Sequence, residues 1–157
     1  MNSWLKIEKI EFKKCNELLK ELINSGVHLS PWISNIVEKY DYRYSNYAFP
    51  LNLVRINVKD LDFNGPAELS EIYKKSAKLN LELVPPEIAI YTRKLYTDQP
   101  KGEWLRFATP FDSMIDTDGV PHLPKLGSAL NLKFIETYWA YKKAIFHPHN
   151  EFVFLIK

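Results

Sequence analysis

The spacing of apolar and polar residues in the first third of the chain predicts helices. Between residues 11 and 25, apolar side chains recur every three or four positions, and lysine and glutamate fill the positions between them. Gly26 follows where such a helix would end, because glycine adopts the left-handed backbone conformation without a Cβ penalty. Ser30-Pro31-Trp32 predicts the start of a second helix, since serine caps free N–H groups and proline fits the first helical position.

After residue 50 the pattern changes to one that favours strands, interrupted by a single helix. Acidic residues early and basic residues late in residues 66–79 predict this further helix. β-Branched and aromatic residues predict five strands, over residues 51–58, 88–96, 103–109, 130–141 and 151–156. The second and third of these strands are expected to form a hairpin around the polar turn at 98–102. The last strand is almost wholly apolar, which predicts a central position in the sheet.

This order of elements predicts an α+β fold. The N-terminal helices and the one further helix are expected to pack on one side of a mostly antiparallel sheet. The number of strands leaves open whether the sheet curls into a partial barrel. A length of 157 residues suits a single domain over 1–157. We divide it into a helical, aromatic-rich part over 1–49 and an α+β core over 50–157.

Composition and charge narrow the class of protein. The net charge is +2, with 46% hydrophobic and 25% charged residues, so no strong field favours nucleic acid or an anionic membrane. No segment has the apolar length of a spanning helix, and the first residues do not resemble a signal peptide. Cys15 is the only cysteine, which excludes an internal disulfide. Its place on an apolar stripe predicts a buried, unreactive thiol, and we expect a cytoplasmic protein.

The predicted hairpin turn carries the densest group of polar candidates. A ligand site there would use side chains of the turn and its flank, namely Asp98, Gln99, Glu103 and Trp104. In that interpretation the polar groups form a lip and Trp104 forms an apolar floor. A structural explanation has the greater weight: Asp98 would accept backbone N–H bonds, Pro100 would fix φ, and Gly102 would supply a positive φ.

Other chemical signals are weaker. Asp116-Thr117-Asp118-Gly119 is similar to the start of a calcium loop, but Gly127 stands where such a loop needs glutamate. We therefore predict a turn with two solvated aspartates. His147 and His149 flank Pro148 and would bind a metal only if a third ligand arrived, so two exposed loop histidines are favoured. No nucleophile elbow, phosphate loop or dinucleotide fingerprint is present.

A ladder of tyrosines gives a further pair of interpretations. Tyr40, Tyr42 and Tyr44 alternate, so an extended backbone would place their rings on one face. Such a face can stack bases or sugars, with Arg43 adding charge. The favoured interpretation is that the rings cover the edge of the core.

Several motifs together resemble a group of small bacterial proteins that have no assigned activity. The resemblance runs from about residue 26 onward and is carried by Ser30-Pro31-Trp32, Leu53-Val54-Arg55, residues 81–87, residues 96–105, residues 116–121 and residues 151–154. Its most specific part is Asp98-Gln99-Pro100 followed by Gly102-Glu103-Trp104. The resemblance implies a small, single-domain cytosolic protein. It also implies a shared site formed by Glu87, Asp98, Gln99, Glu103 and Trp104. Separately, we expect no cofactor.

Two functions from different classes follow. The leading hypothesis is a non-catalytic binding module that holds a protein or small ligand near the 98–104 turn. The alternative is a hydrolase or nuclease that uses acids and histidines, namely Glu87, Asp98, Glu103, His122 and His149. It requires a carboxylate within about 3 Å of a histidine, or within reach through one water, inside a pocket. Nucleic-acid binding is disfavoured. It would need one surface shared by Lys39, Arg43, Arg93, Lys94 and Arg106. An exposed sheet edge could also pair two copies of the chain.

Overall fold

The computed structural model describes residues 1–157. Its four helices are α1 (Cys15–Asn24), α2 (Pro31–Tyr40), α3 (Leu69–Lys78) and α4 (Pro86–Leu95). Its ten strands are β1 (Leu5–Ile7), β2 (His28–Leu29), β3 (Leu51–Asn57), β4 (Ala67–Glu68), β5 (Leu81–Glu82), β6 (Trp104–Phe107), β7 (His122–Ala129), β8 (Leu132–Trp139), β9 (Ile145–Phe146) and β10 (Glu151–Ile156). None of the helices combines the length and apolar character that crossing a bilayer requires.

Eight strands form one open sheet in the order β1-β3-β10-β6-β7-β8-β2, and β5 extends it beside the end of β10. Strands β4 and β9 form a separate pair. Most neighbours are antiparallel, while β6 with β10 and β2 with β8 are parallel. The α+β class and the mostly antiparallel sheet are therefore confirmed. The sheet does not curl into a barrel, because β1 and β2 end the strand order without pairing with each other.

Helices cover both faces of the sheet, so the expectation that they share one side is wrong. Buried residues of α1, α2 and α4 belong to one apolar cluster, together with Leu53, Leu105 and Val153 from the sheet. Those of α3 belong to a second cluster, with Phe152 and Phe154. Adjacent residues of a strand point to opposite faces, so β10 contributes to both clusters. Two helices, α3 and α4, follow the N-terminal pair, where only one was expected.

The predicted hairpin around residues 98–102 does not form, because its first strand is helix α4. Pro85 stands at the N-cap and Pro86 at the first helical position, where the missing N–H has no cost. The second expected strand exists as β6, but it pairs with β10 and β7. The hairpin of this fold joins β7 to β8 through Leu130 and Asn131, which both have positive φ.

The N-terminal predictions hold in their essentials. Helix α1 lies within residues 11–25, and the hydroxyl of Ser30 accepts a hydrogen bond from the N–H of Trp32 at the start of α2. Cys15 is buried, and burial raises the pKa of its thiol to about 12, so the thiolate is scarce at neutral pH.

The tyrosine ladder covers the core edge, as favoured. Tyr40, Tyr42 and Tyr44 all pack against the apolar cluster of α1, α2 and α4. Their hydroxyls donate hydrogen bonds to the main-chain carbonyls of Asp112, Ser113 and Glu87. The rings therefore fix the 40–44 segment to the rest of the fold and do not form a free platform.

Candidate functional site

The buried side chain of Gln99 links the 98–102 turn to the sheet by hydrogen bonds. Its side-chain N–H group donates to the carbonyl of Leu126 at 3.1 Å and to the carbonyl of Glu103 at 3.3 Å. Its oxygen accepts from the guanidinium of Arg93 at 2.7 Å. All of its polar atoms are thus engaged inside the protein, which leaves none for a ligand.

Arg93 is a buried hydrogen-bond partner of Gln99. Only 2% of the residue is exposed, and burial lowers the pKa of its guanidinium to about 10. Besides Gln99, it donates to the carbonyls of Gly127 and Phe134 at 3.1 and 3.3 Å. The guanidinium therefore ties the C-terminal part of α4 to strands β7 and β8.

Glu103, which directly precedes β6, belongs to an ion-pair network with Arg55 of β3 and Glu151 of β10. Arg55 donates to Glu103 at 3.0 Å and to both carboxylate oxygens of Glu151, at 2.6 and 2.9 Å. Burial lowers the pKa of Arg55, but the hydrogen bonds and charge of Glu151, and then of Glu103, outweigh it and raise that pKa. The hydroxyl of Tyr96 also donates to Glu103, at 2.7 Å. The carboxylate of Glu103 is thereby held in one orientation.

The structure brings together three of the five predicted site residues. Gln99, Glu103 and Trp104 lie together, and the exposed Asp98 belongs to the same turn but makes no side-chain hydrogen bond. Glu87 is at the opposite end of α4, about 12 Å away by the helical rise. There its carboxylate accepts a hydrogen bond from Tyr47. Glu87 thus belongs to the tyrosine segment and not to the turn.

A cleft of about 360 Å³ opens beside the turn. Its wall is formed by residues of the turn, the sheet and the loop before β10, namely Gly102, Glu103, Trp104, Arg106, Lys125, His149, Asn150 and Glu151. Trp104 lies flat across Gly127: a Cβ added at Gly127 would stand 2.1 Å from the indole ring. The absence of a side chain there lets the ring reach the sheet and form part of the cleft floor.

Arg106 and Lys125 are neighbouring cations in this cleft, and Glu136 stands opposite Lys125 on β8. The two cations are cross-strand partners on β6 and β7, both half-buried, and neither side chain makes a hydrogen bond or salt bridge. The Nε atom of Arg106 is buried and has no partner. Burial lowers the pKa of both groups, and the charge of Arg106 further lowers that of Lys125, while the charge of Glu136 opposes this shift to a smaller extent.

Both cations make cation–π contacts with neighbouring aromatic rings. The guanidinium of Arg106 lies 5.4 Å from the ring centre of Tyr138 and 5.9 Å from that of Phe146. The ammonium of Lys125 lies 4.8 Å from the ring centre of Trp104. These contacts stabilise positive charge without consuming N–H donors. Both groups therefore keep donors for another molecule.

A second polar group lies near the start of β7. Asp116 was expected to be solvated, but it is buried, and one of its oxygens contacts Nε2 of His122 at 2.8 Å. The other oxygen accepts from the N–H groups of Asp118 and Val120. The hydrogen bond with His122, helped by these two N–H groups, lowers the pKa of Asp116. Nδ1 of His122 contacts the hydroxyl of Thr137 at 3.0 Å.

That histidine lies at the base of an open groove of about 390 Å³. The groove is lined by the start of α2, by His122 and by the end of β8, namely Ser30, Pro31, Trp32, Glu136, Thr137, Tyr138 and Trp139. Two of its residues are strongly exposed for tryptophan, Trp32 at 41% and Trp139 at 63%. None of the groove residues except His122 was among the predicted candidates.

The residues that the hydrolase, metal-binding and nucleic-acid hypotheses require do not all come together in one site. His122 has a carboxylate partner, but it is Asp116 and not one of the predicted acids, while His149 and Glu103 both line the cleft without a hydrogen bond between them. His147 and His149 stack with ring centres 5.9 Å apart, and no group of three potential ligands is arranged to hold a metal ion. Arg93, required for a basic surface, is buried.

The signal that could have identified the cleft is the alternation on β6, which places Arg106 on the same face as Trp104. Lys125 had no such signal, because β7 was not predicted. Comparison with known protein families, with curated proteins and with solved structures finds no match to this chain.

Proposed function

We propose that the protein is a non-catalytic binding module whose cleft beside the 98–104 turn holds an anionic group of a small ligand or of a protein. The supporting observation is the pair Arg106 and Lys125, which are partly withdrawn from water and form no salt bridge, although the charge of Glu136 acts on Lys125. Removing a charge from water costs free energy unless a partner of opposite charge compensates. A bound carboxylate or phosphate would supply that partner.

The shape of the cleft favours a ligand that joins the anion to a flat apolar body. Arg106 offers a planar set of donors, and Lys125 offers a point charge next to it. Trp104 supplies an apolar surface beside them. Glu103 and Glu151 also line the cleft, but Arg55 binds both carboxylates and reduces their repulsion of an anion. The attractive side of the cleft is therefore the Arg106 side.

This proposal changes the role of the predicted site residues. Gln99 and Glu103 position the turn and the cleft wall, whereas Arg106, Lys125 and Trp104 would contact the ligand. The acid and histidine hydrolase is the weaker alternative, because Glu87 and His122 lie away from the cleft and no hydrogen bond joins Glu103 to His149 within it. Its best remaining contact, Asp116 with His122, involves a histidine that is only 2% exposed.

Titration with adenosine monophosphate tests the proposal, because this probe joins a phosphate to a flat ring. We expect saturable binding by calorimetry, with a shift of the Trp104 indole signal in NMR spectra. Arg106→Gln and Lys125→Gln should each raise Kd by about tenfold, the effect of losing a charge-assisted hydrogen bond.

Lys74→Gln is the matched control, since Lys74 is an exposed lysine outside the cleft. Inorganic phosphate and benzoate serve as the separate halves of the probe. Absence of binding by all three probes, or equal binding by the cleft variants, would contradict the proposal.

A further inference from the structure

The geometry points to a second binding site, independent of the cleft: the free edge of β8 beyond Ile135 accepts an extended peptide with a basic side chain, which adds to the sheet as a further strand. The free edge comprises Glu136–Trp139 at the end of β8 and borders the groove described above. Peptides commonly bind sheet edges in this way, with main-chain hydrogen bonds giving affinity and side-chain pockets giving specificity.

The free edge exists because its neighbour β2 is very short. Strand β2 pairs with β8 only at Phe134 and Ile135. The N–H of Ser30 makes the last hydrogen bond of that ladder, to the carbonyl of Ile135 at 2.9 Å. Ser30 then caps α2, and its own carbonyl accepts from Ile33 inside the helix. The chain therefore leaves the sheet, and the space beside the rest of β8 has no strand.

The hydrogen-bonding groups of Thr137 and Trp139 point into that space. In an antiparallel pair, residues alternate between facing the partner strand and facing away. The carbonyl of Ile135 faces away from β7, because it binds Ser30. Thr137 and Trp139, two and four positions later, must do the same. Their partners agree: Pro124, opposite Thr137, has no N–H, and His122, opposite Trp139, directs its N–H to Met114.

The surroundings of the edge match an extended peptide. Exposed Trp32 and Trp139 border the groove and offer apolar surface for alternate side chains. Glu136 lines the same groove without a salt bridge, although Lys125 stands opposite it on β7. A lysine or arginine of the peptide would complement that carboxylate. The contacts of His122 with Asp116 and Thr137 hold this end of β8 in place before binding, which reduces the entropy cost.

A peptide suits this edge better than a second copy of the chain. Four residues of strand extend only about 13 Å. A stable dimer usually buries about 800 Å² on each partner, far more than one short strand pair provides. A short peptide needs only the main-chain bonds and one or two side-chain contacts.

Fluorescence anisotropy with a labelled, acetylated pentapeptide amide, Thr-Val-Lys-Val-Thr, tests the inference. Thr137→Pro removes the outward N–H, and proline is accepted on edge strands whose N–H faces solvent. Thr137→Ala is the matched control, since it loses the same contact with His122 but keeps the N–H. We expect saturable binding by the wild type, a Kd at least about tenfold higher for Thr137→Pro, and a change under about threefold for Thr137→Ala. Glu136→Gln should weaken binding of this peptide but not of Thr-Val-Leu-Val-Thr.

A second measurement guards against a folding defect in Thr137→Pro. The same peptide with alternate backbone amides methylated cannot pair on one edge, so it should lose binding to the wild-type protein. Equal binding of the methylated and unmethylated peptides, equal Kd values for the two Thr137 variants, or no binding by the wild type would each overturn the inference. Sedimentation showing a wild-type dimer that Thr137→Pro abolishes would assign the edge to a second copy and overturn it as well.

Discussion

At the scale of single residues, buried polar groups determine the shape of the 98–104 turn. Arg93 brings a charge into the interior, and Gln99 and three main-chain carbonyls receive its N–H groups. Each partner compensates part of the cost of removing that charge from water. The turn is therefore fixed from the interior of the protein by Arg93, a residue of the helix that precedes it.

Gln99→Leu should destabilise the protein, because it removes an acceptor of Arg93 and the two main-chain contacts of the amide. We expect the free energy of unfolding to fall by about 2–3 kcal/mol, measured by urea denaturation. Lys74→Ala, which removes an exposed ion pair with Glu71, should change it by less than about 0.5 kcal/mol. An unchanged stability of Gln99→Leu would mean that this side chain is free to bind a ligand, as the sequence first suggested.

Asp116 should make stability depend on pH in the acid range. Its pKa is lowered in the folded protein from the ordinary value of 3.8, mainly by His122, and Lys39 adds a contact at its main-chain carbonyl. A group with a lowered folded pKa stabilises the fold above its unfolded pKa, and this contribution is lost as pH falls through the folded pKa. The stability difference between wild type and Asp116→Asn should thus be largest near neutral pH and shrink below about pH 4. Urea denaturation from pH 7 to pH 2.5 measures it, and a constant difference would contradict the assignment.

At the scale of elements, the residues that usually mark the ends of helices and strands predicted some boundaries well and others poorly. The start of α2 was predicted because serine and proline act locally there. Helix α4 was mistaken for a strand because Ile88, Ile90 and Thr92 are β-branched and because residues 88–93 are all buried, so no polar face marks a helical period. The same signal, proline at the first helical position, is present at Pro86, but the β-branched residues after it favoured a strand.

Strand β7 was missed for a related reason. It contains Pro124 and Gly127, which normally argue against a strand interior. Both are accommodated by neighbours: β6 begins to pair only at Lys125, so no ladder bond is lost at Pro124, and Trp104 covers Gly127. The pairing of Lys125 with Arg106 could not be predicted for this reason, since it depends on strand β7.

Removing the cap of α2 gives a test at the element scale. Ser30→Ala should lower the free energy of unfolding by about 1 kcal/mol, because the N–H of Trp32 loses its acceptor. Ser30→Asp restores an acceptor and should recover most of that loss. Thermal unfolding should show the same order of stability. Equal stability of the alanine and aspartate variants would show that capping is not the reason for the effect.

At the scale of the whole molecule, β10 connects the two apolar clusters. It lies between β3 and β6, with Phe152 and Phe154 directed to one face and Val153 and Leu155 to the other. Its central position was predicted from its apolar sequence. The coverage of both faces by helices was not, because which face a helix covers depends on chain crossovers and not on its own pattern.

Phe152→Ala should therefore be among the most damaging single changes. Phe152 is fully buried against Phe146 and Phe154, and truncation would leave a cavity between α3 and the sheet. We expect a loss of about 3–5 kcal/mol by urea denaturation. Leu130→Ala removes an apolar side chain that is 78% exposed and should have almost no effect. Similar losses for both variants would argue against this arrangement of the core.

The place of β10 also affects how the protein is made. A ribosome delivers β3 and β6 well before the strand that must lie between them. Until β10 emerges, the facing edges of β3 and β6 have no partner, and unpaired strand edges promote association with other chains. We therefore expect that protection of these two edges during translation raises the yield of folded protein in the cell.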